Sequence, residues 1–171
     1  MYVLISIQPQ WCSLIKYGSK IWEIRKNKPI LQPPFKCLVY ETKGKNGEGA
    51  GKIIGEFVCD RIVEIGYSPY NHGEYICDVE NLHRDSCVDF ATMFDYLADG
   101  MGYAWHISEL FLYDKPKEIQ SFQTYCNCKD CEKCQYHSWD YVPCSDEKEL
   151  VCTVSQKKPL SRAPQSWCYV C

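Results

Sequence analysis

Residues 2 to 7 carry an almost unbroken apolar run, Val3-Leu4-Ile5 and then Ile7, which reads as a buried strand. Pro9 follows where helices commonly begin, because the amide proton it lacks would be unpaired there anyway. Trp11, Leu14 and Ile15 fall at helical spacing on one face, and Gly18 stands where a left-handed residue would end the helix. The chain then reverses into Ile21 to Arg25. Alternation puts Trp22 and Ile24 on one side of that strand and Ile21, Glu23 and Arg25 on the other. A face shared by an isoleucine, a carboxylate and a guanidinium is expected to be half buried at best.

Pro29, Pro33 and Pro34 mark a loop, after which Lys36 to Glu41, rich in Val, Leu and Tyr, is strand-like. Lys43 to Gly51 holds four glycines and almost no apolar residues. It reads as a mobile hairpin loop into a strand from Lys52 to Cys59 that continues through Ile65. From Val88 to Ala98, Phe90, Met93, Phe94 and Leu97 keep helical spacing, with Ser86 as the expected cap, Asp89 near the start, and Gly100 and Gly102 as the stop. Tyr103 to Tyr113 reads as the final strand, bending near Ser108-Glu109. Five or six short strands with two small helices between them predict a compact, mostly β barrel with α elements.

With 171 residues and 46% hydrophobic content, the chain can bury one core and carry one appendage. No apolar stretch approaches the length of a membrane span, and Val3-Leu4-Ile5 is too short for a signal-peptide core. A cytoplasmic protein without membrane contact is expected. Its 13 cysteines, with no Asn-x-Ser/Thr sequon, then point to reduced thiols and metal rather than disulfides. The formal charge of −3 argues against a broad phosphate-binding surface. One local excess exists, where Lys16, Lys20, Arg25, Lys26 and Lys28 face only Glu23.

Composition shifts after Gln123. Cys126, Cys128, Cys131, Cys134, Cys144 and Cys152 occur in a segment with little aliphatic content, so something other than hydrophobic burial must organise it. The first four contain two overlapping Cys-x-x-Cys pairs, the spacing that lets two thiolates grip one tetrahedral zinc. Two or three of them with later cysteines would complete a structural zinc site, with His137 and the Cys168-x-x-Cys171 pair as further options. The following proline of an iron–sulfur motif is missing. A phosphate-loop reading of the glycines before Lys52 fails too, because no glycine stands at the required distance and Ile53 replaces the Ser/Thr that reaches magnesium.

Four stretches in order, Ser6-Ile7-Gln8-Pro9, Gly18-Ser19-Lys20-Ile21-Trp22-Glu23-Ile24-Arg25-Lys26, Gly55-Glu56-Phe57 and Ala104-Trp105-His106-Ile107-Ser108-Glu109-Leu110, resemble an ASCH domain. The resemblance covers roughly residues 1 to 122. The tail ending in Arg162-Ala163-Pro164-Gln165-Ser166-Trp167-Cys168-Tyr169 is similar to that of a phage- and prophage-associated branch of the family. The resemblance implies an α+β domain of the PUA-like superfamily, a small and mostly antiparallel β-barrel with two or three short helices. Residues 123 to 171 would then be an irregular Cys-rich tail whose last ten residues pack back on the barrel.

The resemblance further implies a cleft beside the first helix and the Lys20 strand that holds RNA or a modified nucleoside, in translation-linked or phage-linked regulation. Some small family members are amidohydrolases that deacetylate N-acetylated cytidine with a lysine matched by Lys20, but they carry a threonine where Glu23 stands here. Lys20 and Glu23 are therefore the catalytic candidates if the chain is an enzyme. The ligand-binding candidates are Gln8, Pro9, Trp11, Lys20, Glu23, Arg25, Lys26, Trp105, Ser108, Gln165, Ser166 and Trp167.

The residues themselves leave alternatives open. Lys20 is either a base in a desolvated cleft or a solvated turn lysine. Glu23 and Arg25 form either a structural ion pair or contacts to a phosphate and a base edge. Trp11, Trp105 and Trp167 offer stacking faces or core. Cys12 with His106 would make a thiol nucleophile and base, against the plainer role of a packing cysteine and a structural histidine. Gln165-Ser166-Trp167 is expected to fold back and line the cleft.

Overall fold

The computed structural model describes residues 2–67, 75–98, 101–124, 139–140, 151–152 and 158–170. The first strand, β1 (Tyr2–Ile7), lies inside a seven-stranded sheet whose order is β12-β9-β13-β1-β3-β4-β8. Its members are β3 (Phe35–Glu41), β4 (Lys52–Cys59), β8 (Ser108–Lys117), β9 (Gln123–Thr124), β12 (Lys158–Pro159) and β13 (Trp167–Val170). A second sheet, ordered β2-β7-β5-β6, is built from β2 (Trp22–Arg25), β7 (Gly102–His106), β5 (Ile62–Tyr67) and β6 (Tyr75–Ile76). The short strands β10 (Trp139–Asp140) and β11 (Val151–Cys152) pair with each other. Three helices, α1 (Pro9–Lys16), α2 (Leu82–Ser86) and α3 (Phe90–Leu97), and one 3-10 turn (Ile119–Ser121) complete the described elements.

β1 is apolar on both faces because both are covered. Val3, Ile5 and Ile7 face a cluster with Cys12, Ile15, Phe57 and Trp105, while Leu4 faces Leu38, Ile53, Ile119, Leu160 and Val170. The second cover is supplied by the turn Ile119–Ser121 and by the segment from residue 158 onward, whose β13 runs antiparallel along β1 from Tyr2↔Val170 to Ile5↔Trp167. A strand buried on both sides loses the alternation of a half-exposed one. A third cluster, with Trp22, Ile24, Ile65, Met93, Leu97 and Ala104, joins the second sheet to α2 and α3.

The expected barrel does not close among the described residues. Besides the longer connections into and out of β2, the chain passes from one sheet to the other at two short corners, between Cys59 and Ile62 and between His106 and Ser108, but the sheets keep separate hydrogen-bonded ladders. Register shifts in the β4–β8 pairing and a left-handed Glu109 (φ 46°) turn β8 away from the line of β7. Strands dominate and their pairings are antiparallel, with β1–β3 the parallel exception among those described. Gly55 sits at one of those β4–β8 shifts, where a Cβ would run into the Phe111 carbonyl and press on Leu112.

The long helical pattern starts later than Val88. α3 begins at Phe90 because Asp89 caps it, its carboxylate accepting from Thr92 N at 2.8 Å and Thr92 Oγ1 at 2.9 Å. Ser86 instead ends α2.

Candidate functional site

α1 ends at a turn in which Gly18 takes φ 73°, and Ser19 and Lys20 both donate their amides to Leu14 O. The chain is thereby folded back, and Ile21 N donates to Asp85 O, which pins the entry of β2 against α2. β2 pairs with β7 in the register Trp22↔His106, Glu23↔Trp105, Ile24↔Ala104 and Arg25↔Tyr103. Glu23 therefore shares a face with Trp105, which is fully buried toward the main sheet. The charged face of β2 consequently looks inward, not to solvent. Lys20 is 2% exposed, and Glu23 and Arg25 are each 6% exposed, which corrects the expectation of a half-buried face and removes the solvated-turn reading of Lys20.

These three side chains form the floor of a cleft of about 390 Å³. Its walls come from Ser6, Ile7, Gln8, Gln10 and Trp11 at the β1–α1 junction, from Val88, Thr92 and Tyr96 on the α3 side, and from Gln165 and Ser166 before β13. Lys20 Nζ donates to Ser86 O at 2.6 Å, lies 3.3 Å from Glu23 Oε2, and sits 5.2 Å from the centre of the Trp11 ring. Arg25 Nη2 donates to Ser6 O at 2.6 Å and lies 2.9 Å from Glu23 Oε1. Arg25 Nη1 reaches Ser166 Oγ only at 3.5 Å, and the buried Arg25 Nε has no partner. The segment before β13 is anchored by Ser6, whose Oγ donates to Pro164 O at 2.7 Å and whose amide donates to Ser166 O at 2.9 Å.

Of the sequence-derived ligand candidates, Gln8, Trp11, Lys20, Glu23, Arg25, Gln165 and Ser166 meet in this cleft. Pro9 is buried at the first turn of α1, and Lys26 is exposed with its Nζ 5.2 Å from the Tyr96 ring centre. Trp105 packs in the core against Phe35 and Trp167, and Ser108 Oγ donates to Val58 O at 2.9 Å, so neither lines the cleft. Trp167 stands between Trp105 and Tyr169.

Ser6, Ile7, Gln10, Ile24, Val88, Thr92 and Tyr96 also line the cleft but are not among the sequence-derived ligand candidates, although Ser6 and Ile7 belong to the first resemblance motif. Thr92 and Tyr96 are four apart on one helix face, a signal available in the sequence, but nothing local says which face meets the cleft.

The thiol-nucleophile reading loses its ground. Burial, with Glu41 nearby, pushes the Cys12 thiol up to about 12, and Cys12 Sγ points at Ile7 O. The His106 ring contacts Asp60 Oδ1 at 2.6 Å and the Trp22 ring instead. Cys126, Cys128, Cys131, Cys134 and Cys144, with His137, lie outside the described residues, and Cys152 is placed only by the pairing of β11 with β10. Among the described residues no group of three His, Cys, Asp or Glu side chains could hold a metal ion, and no helix is long and apolar enough to cross a membrane.

Neither a protein-family model nor a curated protein matches this chain. Solved structures do. ASCH from Zymomonas mobilis is similar with TM-score 0.54 at 17% identity, covering 69% of this chain and 73% of that one. A tyrosine-to-phenylalanine variant of the same protein gives 0.53 at 17% identity over 69% and 76% of the two chains. A serine-to-alanine variant gives 0.52 at 18% identity over 68% and 73%. About two thirds of this chain thus shares its fold with the ASCH structures, in line with the ASCH resemblance of its sequence motifs.

Proposed function

We propose that this protein binds RNA or a modified nucleoside or nucleotide, with one base held in the cleft above Lys20, Glu23 and Arg25. The observation that carries the reading is the cleft itself. Its volume of about 390 Å³ lies in the range of small-ligand sites, and it combines a Trp11 ring with buried, fixed charges. A base offers a π-face and an edge of donors and acceptors. Trp11 and Tyr96 supply aromatic surface, and the side-chain amides of Gln8, Gln10 and Gln165 supply both hydrogen-bonding senses for that edge. The resemblance to the prophage-associated branch is the ground for placing such binding in translation- or phage-linked regulation.

The test is a fluorescence titration of the full chain with the common nucleosides, modified nucleosides and short single-stranded RNAs at low salt. Saturable binding that is lost in Trp11→Ala is expected. No saturable binding at low salt would overturn the reading.

A second reading is favoured by one contact, the Lys20 Nζ to Glu23 Oε2 approach of 3.3 Å inside the cleft. Such a pair could assist water attack on an N-acetyl carbonyl, breaking the C–N bond to release acetate and the free amine. Binding is preferred because Lys20 Nζ faces Ser86 O and Glu23, both acceptors, and so serves as a donor here. Incubation with N-acetylated cytidine decides it: no turnover, or turnover unchanged in Lys20→Ala, removes the hydrolase.

A further inference from the structure

We propose that the cleft requires an anionic ligand, and that a phosphate oxyanion is held between Arg25, Ser166 and the first turn of α1. This rests on reading the cleft as a base-binding site and makes the ligand a nucleotide rather than a nucleoside.

The first ground is a charge count. Two cations, Lys20 and Arg25, share one carboxylate, Glu23, and all three are more than nine-tenths buried. The other buried acid nearby, Glu41, is engaged by Lys16 at 2.9 Å and by Ala50 N at 2.9 Å. Asp89, beside the α3 wall, is exposed and taken up by Thr92 N and Oγ1. The floor therefore carries one positive charge more than its shared carboxylate balances. A buried excess charge is unfavourable, and an anion entering the cleft relieves it.

The second ground is the guanidinium. It offers five N–H donors, and Nη2 alone carries the short bonds, to Glu23 and Ser6. Nη1 has only the 3.5 Å approach to Ser166 Oγ, a hydroxyl that lines the cleft, and Nε has no partner. Nε is enclosed, so the donor that matters is Nη1: an oxyanion beside Ser166 would give it a stronger acceptor than the hydroxyl at 3.5 Å.

The third ground is α1, whose start lines the same cleft through Gln8, Gln10 and Trp11. Gln8 makes no side-chain cap, and the first turn holds no acidic residue, in contrast to α3 with Asp89. Pro9 carries no N–H and the Trp11 and Cys12 amides already donate to Gln8 O, so this turn adds the positive end of its dipole, with no acidic side chain competing there, rather than a row of open donors.

The test uses the full chain and calorimetric titration at low salt with AMP, CMP, GMP and UMP, their nucleosides, and inorganic phosphate. At least one monophosphate should bind about tenfold or more tightly than its nucleoside, with that ratio falling as salt rises. Inorganic phosphate should compete with it. Arg25 substitutions could simply unfold the chain, so the ratio is also read in Ser166→Ala and in Gln10→Glu, which adds a carboxylate at the rim. Each should cut the ratio severalfold while circular dichroism and the thermal midpoint stay at wild-type values. A nucleoside that binds as tightly as its monophosphate overturns the anion site and leaves base binding standing. Phosphate binding with no nucleoside or nucleotide binding supports the anion site and overturns base binding. Absence of all three overturns both.

Discussion

Glu23→Gln keeps the shape of the side chain and removes its charge, leaving Lys20 and Arg25 buried with no carboxylate between them. The two contacts, at 3.3 and 2.9 Å, would each be worth about 5 kcal/mol of Coulomb attraction at an effective dielectric of about 20. Much of that is cancelled by the desolvation of three buried charges. Removing one partner leaves the desolvation in place and the attraction gone, which costs about 3–5 kcal/mol in buried pairs. Against a total stability of about 5–15 kcal/mol, the variant should be close to marginal. Urea denaturation followed by tryptophan fluorescence reads the effect directly. With an m-value of about 2 kcal/mol/M, the midpoint should fall by roughly 1.5–2.5 M with m unchanged. The exposed Lys28–Glu64 pair, with side chains 45% and 56% accessible at a similar 2.9 Å separation, is the control, and Glu64→Gln should leave the midpoint within error. A loss below about 1 kcal/mol for Glu23→Gln would refute the argument, because it would make the buried carboxylate behave like a surface one.

Gly55→Ala drives a methyl group into the Phe111 carbonyl across the β4–β8 ladder and should cost at least about 2 kcal/mol in the same assay, where a near-neutral result would contradict the tight strand approach. Thr92 N and Oγ1 donate to Asp89 and hold its carboxyl below the usual range, so its stabilising effect is complete above about pH 4 and is lost as pH falls further. The midpoint difference between wild type and Asp89→Ala should accordingly shrink from pH 7 to pH 3, and a pH-independent difference would sink the cap. Burial pushes the Cys12 and Cys59 thiols up to about 12, so they leave the fold's stability untouched below about pH 9 and reduce it as pH climbs from there toward 12, where the unfolded chain alone can ionise them. Mass-spectrometric mapping after iodoacetamide at pH 8 should find both unmodified until urea is added, and native-state labelling at the denatured rate would show that they are not buried. For the Cys-rich segment the expectation is one structural zinc per chain after purification without added metal. A metal-free chain whose thermal midpoint is unmoved by chelator would end that reading.

Much of the front half of the molecule was legible locally. The apolar run of β1, Pro9 at the start of α1, Gly18 at its end and the alternation in β2 are all encoded by side chains within a few residues of one another, and each element formed where those signals lie. The bend after β7 also appeared, because Glu109 takes a left-handed backbone inside an otherwise strand-like run. The cap of α3 is not legible locally: Ser86 and Asp89 both satisfy the capping rule, but Ser86 is taken into the end of α2, which leaves Asp89 to cap α3.

The site is different in kind. Lys20 meets the carbonyl of Ser86 from 66 positions away, and Arg25 meets Ser166 from 141 positions away. Alternation correctly put Glu23 and Arg25 on one face of β2, but whether that face meets water or protein depends on what stands opposite. Here β1 and the segment before β13 stand opposite and convert a charged strand edge into a buried floor. Local sequence determined which residue types share a strand. The tertiary structure decided their dielectric surroundings, and the chemistry of a charge follows from those surroundings more than from its neighbours in the chain.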